Sequence, residues 1–143
     1  MTILKLILSI VLGLVLGSAT NMALIMVSGH VIPPPSGADM TTAEGMRAAL
    51  PLLEARHFLF PFMAHALGTL VAAFIAAKVA PQYKLVGALI VGSMFFVGGI
   101  MAARMIPAPT WFIVVDLIGA YFPFALFGFV LARSRLKAQA GAA

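Results

Sequence analysis

Four long apolar runs stand out along the chain, at residues 3–27, 58–80, 85–106 and 111–131. An α-helix of about 20 residues crosses ~30 Å of hydrocarbon, so each run is long enough to span a bilayer. Lipid tails cannot solvate free backbone N–H and C=O groups, which makes each run helical. The pattern therefore predicts an all-α fold: one transmembrane domain over residues 1–143, built as an integral-membrane four-helix bundle. Gly and Ala recur inside the runs, as membrane helices tolerate.

The stretch at residues 28–57 is the only extended piece outside the spans. Pro33-Pro34-Pro35 prefers polyproline II and cannot continue a helix, so the chain leaves the first span stiff and extended. Ser36-Gly37 reads as a turn. Thr41-Thr42-Ala43-Glu44 then fits a capping box, with a hydroxyl N-cap and a carboxylate three residues on. Met46, Ala49, Leu50 and Leu53 follow at helical spacing, predicting a short amphipathic outer helix. Such a helix either lies on the interface and covers the bundle, or acts as a lid that touches a solute.

Composition narrows the class. Of 143 residues, 63% are hydrophobic and 9% charged, against ~45–50% and ~25% in soluble domains. A soluble domain, a disordered chain and a nucleic-acid partner are excluded together, and the lipid bilayer becomes the first expected partner. The absence of cysteine removes disulfides, thiolate metal sites and Cys nucleophiles.

The net charge of +5 is a topology signal. Six of the nine basic residues, Lys5, Lys78, Lys84, Arg133, Arg135 and Lys137, fall on the side that holds both termini and the second loop. The other side carries Arg47, Arg56 and Arg104 together with all four acids, Asp39, Glu44, Glu54 and Asp116. By the positive-inside rule both termini are cytoplasmic and residues 28–57 periplasmic. The basic tail 133–137 is a weak candidate for contact with anionic lipid. Lys5, the apolar run 6–16 and Gly17-Ser18-Ala19 imitate a signal peptide, but the apolar stretch continues unbroken to Val27, as a retained span does.

Small residues recur every four positions: Ser9, Gly13, Gly17 and Asn21 in the first span, and Ala64, Gly68, Ala72, Ala76 and Ala80 in the second. The third span adds Ala88, Gly92, Gly99 and Ala103. Such stripes let membrane helices approach closely, and they offer surface for a homo-oligomer or for docking other membrane subunits. Pro123 predicts a kink near residues 119–123, at a depth where the Tyr121 hydroxyl needs a partner.

Polar groups inside a span cost on the order of 2.5–3.5 kcal/mol and mark candidate sites. Asp116 falls about 7–8 Å below the outer boundary at helical rise, and His65 and Asn21 lie at comparable depth. Arg104 ends the third span, within reach of Asp116 as an ion-pair partner that would keep the carboxylate charged. His57 precedes His65 by two helical turns, and Thr69 follows His65 by one. Asn21, His57, His65, Thr69, Arg104 and Asp116 form the candidate ligand-binding set, a polar pocket open to the outer face. Each also has a plain structural role available: snorkelling for Arg104, an ion pair for Asp116, a bond to a carbonyl or Thr69 for His65, interhelical contact for Asn21. His30, His57, His65 and Asp116 are of metal-ligating type but lack i, i+4 spacing, so no metal or other cofactor is expected. Ser28, His65 and Asp116 carry no nucleophile-elbow motif, so no catalytic set is assigned and an enzyme is the lesser expectation.

Ile32-Pro33-Pro34-Pro35, the segment from Phe60 to Leu70, and Pro109-Thr110-Trp111 with Asp116-Leu117 resemble a group of small four-span bacterial inner-membrane proteins with no assigned activity. The likeness runs from Asn21 to Gly128 and implies an inner-membrane location. The embedded Glu of small multidrug transporters and the arginine-bearing first helix of fluoride channels are both absent. Two functions fit the residues: a pocket that binds or permeates a small polar solute, ion or proton, or an accessory subunit or assembly factor of a larger membrane complex.

Overall fold

The computed structural model describes residues 2–106 and 108–140, with side chains through Arg133. Pro107 and the tail side chains of Arg135 and Lys137 lie outside what is described. The chain is an all-α bundle: α1 (Thr2–Val31), α2 (Ala43–Ala49), α3 (Leu59–Val79), α4 (Lys84–Met105), α5 (Thr110–Gly119) and α6 (Phe122–Ala140). Four stretches are long and apolar enough to cross a membrane: α1, Ala55–Val79, α4, and α5 with α6 over Thr110–Arg133. The protein is a multi-pass membrane protein.

α3 is the axis of the bundle. Its alanines at 64, 66, 72, 73, 76 and 77 are all buried, and α1, α4 and α6 pack around it. The small-residue stripes explain the closeness. A Cβ on Gly13 or Gly17 of α1 would stand 2.5 Å from the carbonyl oxygen of Ala72 or Gly68 on α3, so only glycine permits this crossing. Gly128 of α6 meets the Leu70 carbonyl and the Phe74 amide in the same way, and Gly92 of α4 faces Ala125 of α6. The stripes are thus absorbed inside one chain. Toward the short α3–α4 turn, Ala73, Ala77, Ala88, Ala125 and Ala132 form a closed alanine core.

Three local elements differ from the sequence pattern. The first helical N-cap of the long loop is Thr42, not Thr41: its hydroxyl accepts from the Gly45 amide at 3.0 Å, while Thr41 is held by Asp39. That register puts Gly45 rather than Glu44 at the third position, and no capping box forms there. α2 is only one short helix because Pro51 redirects the chain into a 3₁₀ turn, Leu50–Leu52, followed by a second, Ala55–Phe58. A capping box does occur at this second turn, between Glu54 and His57.

The third difference is at Pro123. The kink expected there takes the form of a break: α5 ends at Gly119, the chain bends at Ala120 and Tyr121, and α6 starts at Phe122. Pro123 brings no amide to the ladder, and the flanking bonds Ala120 N–H to Asp116 O and Ala125 N–H to Tyr121 O close each side of the gap.

Candidate functional site

The interruption decides the site. On one continuous helix, residues 116 and 121 would point about 140° apart. Across the gap, both turn inward and the Tyr121 hydroxyl donates to Oδ2 of Asp116 at 2.9 Å. Both residues are buried. From α3, Nδ1 of His65 lies 2.8 and 2.9 Å from the two carboxylate oxygens, and 3.0 Å from the tyrosine oxygen. The imidazole and phenol rings lie nearly parallel, with centroids 5.7 Å apart. Behind the ring, Thr69 donates its hydroxyl to the His65 carbonyl at 2.7 Å, the helical i−4 bond of a buried threonine.

Geometry fixes the tautomer. A ring nitrogen this close to a carboxylate carries the proton, so Nδ1–H is the donor and Asp116 orients the imidazole. Nε2 then presents its lone pair. It has no partner among the described residues, yet no buried side-chain nitrogen is left unsatisfied, so Nε2 is accessible. His65, with Asp116 and Gly99, lines a cavity of about 600 Å³. Gly99 is required here, since a Cβ at this position would overlap the Tyr121 hydroxyl.

The walls are mainly apolar and come from the loop end of the bundle: Ile25 and Met26 of α1, Ala102 and Ala103 of α4, Ile113 and Leu117 of α5. The roof is the long loop, through Pro34, Met40, Met46, Leu50 and Leu53. The amphipathic face predicted for residues 46–53 is therefore turned onto the cavity, although only part of it is α-helix. Two polar latches hold the roof. Arg47 donates from Nε and Nη2 to the Met105 carbonyl at 3.2 and 2.7 Å, satisfying an orphan carbonyl at the end of α4. His57 accepts the Glu54 amide at Nδ1 (3.0 Å), leaving Nε2–H to donate to the Pro33 carbonyl at 3.2 Å. Phe58 closes the side, 4.9 Å from Phe112 and 5.5 Å from Trp111 between ring centroids.

Of the six residues singled out from sequence, His65 and Asp116 meet directly, Thr69 sits behind them, and His57 serves in the roof. Asn21 does not join them. It is half-buried at the α1–α3 crossing, its Cβ facing Gly68. Arg104 is exposed, lines no part of the cavity and forms no ion pair with Asp116 among the described residues. The carboxylate instead takes its two donors from a histidine and a tyrosine. Tyr121 is the member that spacing alone misplaces, although a buried hydroxyl in need of a partner marked it. His30 and Ser28 also reach the cavity, but no three His, Asp or Glu side chains gather as a metal-ligand cluster among the described residues.

No known protein family, curated protein or solved structure matches this chain. Its chemistry is therefore read from the His65–Asp116–Tyr121 cluster itself.

Proposed function

We propose that the protein is a membrane-embedded binding protein, in which the cavity under the loop receives a small solute and the His65–Asp116 pair anchors it. The observation that carries this reading is the accessible Nε2 of an imidazole whose other nitrogen is locked by a buried carboxylate. Burying a carboxylate among lipid-spanning helices is costly, and a packing role alone would not need an imidazole whose second nitrogen opens onto a cavity. With Nδ1–H held by Asp116, Nε2 is the atom of the anchor left to accept a hydrogen bond. In the orientation set by the basic residues, the termini face the cytoplasm of a bacterial inner membrane and the cavity faces the periplasm.

Binding is favoured over permeation by the closed alanine core at the opposite end. The accessory-subunit reading draws on small-residue faces left over for partners and on an inner half bare of polar groups; the first ground weakens, because Gly13, Gly17 and Gly92 of those faces are occupied within the chain. The test is thermal unfolding of the purified protein in nanodiscs against a panel of amines, imidazoles, alcohols and carboxylates, both water-soluble and lipid-soluble. At least one compound is expected to raise the melting temperature of the native protein but not of His65→Ala or Asp116→Asn. A panel that shifts the native protein and both folded variants alike, or shifts none, overturns the reading.

A further inference from the structure

We propose that the occupant of the cavity is a lipid-borne amphiphile with a hydroxyl head, which enters between α1 and α4 and donates its O–H to Nε2 of His65. This rests on the binding reading above and deepens it by naming the ligand class and its route.

The head group follows from what the floor presents. Asp116 does not offer its charge to the cavity directly: Nδ1–H of His65 spans both carboxylate oxygens, and Tyr121 donates to one of them. The group left over is the Nε2 lone pair, whose complement is an O–H or N–H donor. The ligand's body follows from the walls, which are isoleucine, leucine, methionine, alanine and phenylalanine over most of their extent. A solute with one donor and an apolar remainder fits both.

The route follows from how α1 and α4 diverge. At the end away from the loop they touch, with Leu6 3.3 Å from the Cβ position of Gly87, and midway Phe95 reaches within 3.1 Å of that of Gly17. At the loop end the cavity lies between them: Ile25 and Met26 face it from α1, Ala102 and Ala103 from α4. Ile25, Met26 and Ala102 are exposed as well as lining the cavity. Nothing crowds Gly29 on the same stretch of α1. The aqueous side, by contrast, is latched by Arg47 on Met105 and His57 on Pro33. The least obstructed path therefore runs sideways, into the bilayer.

The experiment uses the full chain in lipid nanodiscs with two probes that differ by one hydrogen-bond donor, 4-octylphenol and its methyl ether, 4-octylanisole. Trp111 is the only tryptophan, and it stands against Phe58 and Phe112 of the cavity wall. Its emission reports occupancy without a label. The phenol is expected to bind the native protein at least ten-fold more tightly than the ether. His65→Ala is expected to bring the phenol down to the level of the ether, and Ala103→Leu, which fills the gap between α1 and α4, to slow the entry of both. The phenol-to-ether comparison in the native protein stands whether or not a variant folds. Equal binding of the two probes overturns the hydroxyl head while leaving the cavity as a site. Unchanged entry rates in folded Ala103→Leu overturn the lateral route. Binding of a water-soluble panel compound but of neither probe overturns the lipid-borne class and spares the binding reading.

Discussion

Tyr121 and Asp116, five residues apart in sequence, meet through a 2.9 Å hydrogen bond because the helix between them is broken. Replacing Tyr121 by Phe keeps the ring packing against Phe96 and His65 and removes one donor from the buried carboxylate. The expected cost is about 1–2 kcal/mol, the range of a hydrogen bond between membrane helices. Chemical unfolding in mixed micelles measures it, and an unchanged midpoint would show that the hydroxyl contributes nothing.

Pro123→Ala tests the break itself. Alanine supplies an amide and a helix-favouring residue, so continuity between α5 and α6 becomes possible. Any re-formed helix turns Tyr121 away from Asp116. The ring 15N signals of His65 should then change, because Nδ1 loses a neighbour at 3.0 Å. Signals identical to those of the native protein would mean that the gap is held by packing and not by the proline.

Gly99→Ala places a methyl group where the Tyr121 hydroxyl sits. The ring cannot back away, being 1% exposed and enclosed by Phe96 and Ala120. Overpacking of this kind costs about 1–3 kcal/mol. Gly98→Ala, one residue away with open space around it, is the matched control and should be neutral or slightly stabilising. Equal melting of the two variants would count against the tight contact.

The Arg47 latch predicts a change in access rather than in stability. Arg47→Ala frees the Met105 carbonyl at an exposed position, where water replaces the guanidinium, so unfolding should shift by less than about 1 kcal/mol. Quenching of Trp111 by aqueous acrylamide should rise as the roof loosens. A quenching constant equal to that of the native protein would leave the latch without a role.

Asp39 gives the pH prediction. The Thr41 hydroxyl and amide, and then the Thr42 hydroxyl, donate to its carboxylate and hold it below the usual carboxylate range. A lowered folded value means that the turn is supported above the ordinary carboxylate pKa and loses that support as the pH falls through the folded one. Protection of the Thr41 and Gly45 amides, measured relative to their intrinsic exchange rates, should fall on acidification below about pH 4. Asp39→Asn should show fast exchange at neutral pH and no further acid response.

The number and kind of spans were legible in sequence because they rest on a bulk property, the cost of unpaired backbone in lipid. The inward pull on His65 and Asp116 was legible for the same energetic reason. Their partner was not. Counting along an intact helix turns Tyr121 away from Asp116, and only the gap at Ala120–Tyr121 reverses that. Arg104 misled in the opposite sense: closeness in sequence to Asp116 suggested a pair, yet a long side chain near the end of a span satisfies its charge more cheaply at the surface. Asn21 shares the depth of the pocket but sits on the face of α1 that meets α3, a matter of helix rotation that depth alone does not determine. At residues 41–45 the register slipped by one because Asp39, two residues upstream, claims Thr41 and leaves Thr42 as the cap.

α1 approaches α3 most closely at Gly13, Gly17 and Asn21, and no atom of the His65–Asp116–Tyr121 network belongs to α1. The far arm of α1, from Ile25 onward, can therefore tilt about that crossing as a lever about its fulcrum, widening or narrowing the mouth without disturbing a single proton in the anchor. On the proposed binding reading, mouth and anchor are then separate parts. Mutations that change how fast an occupant arrives need not change how firmly it is held.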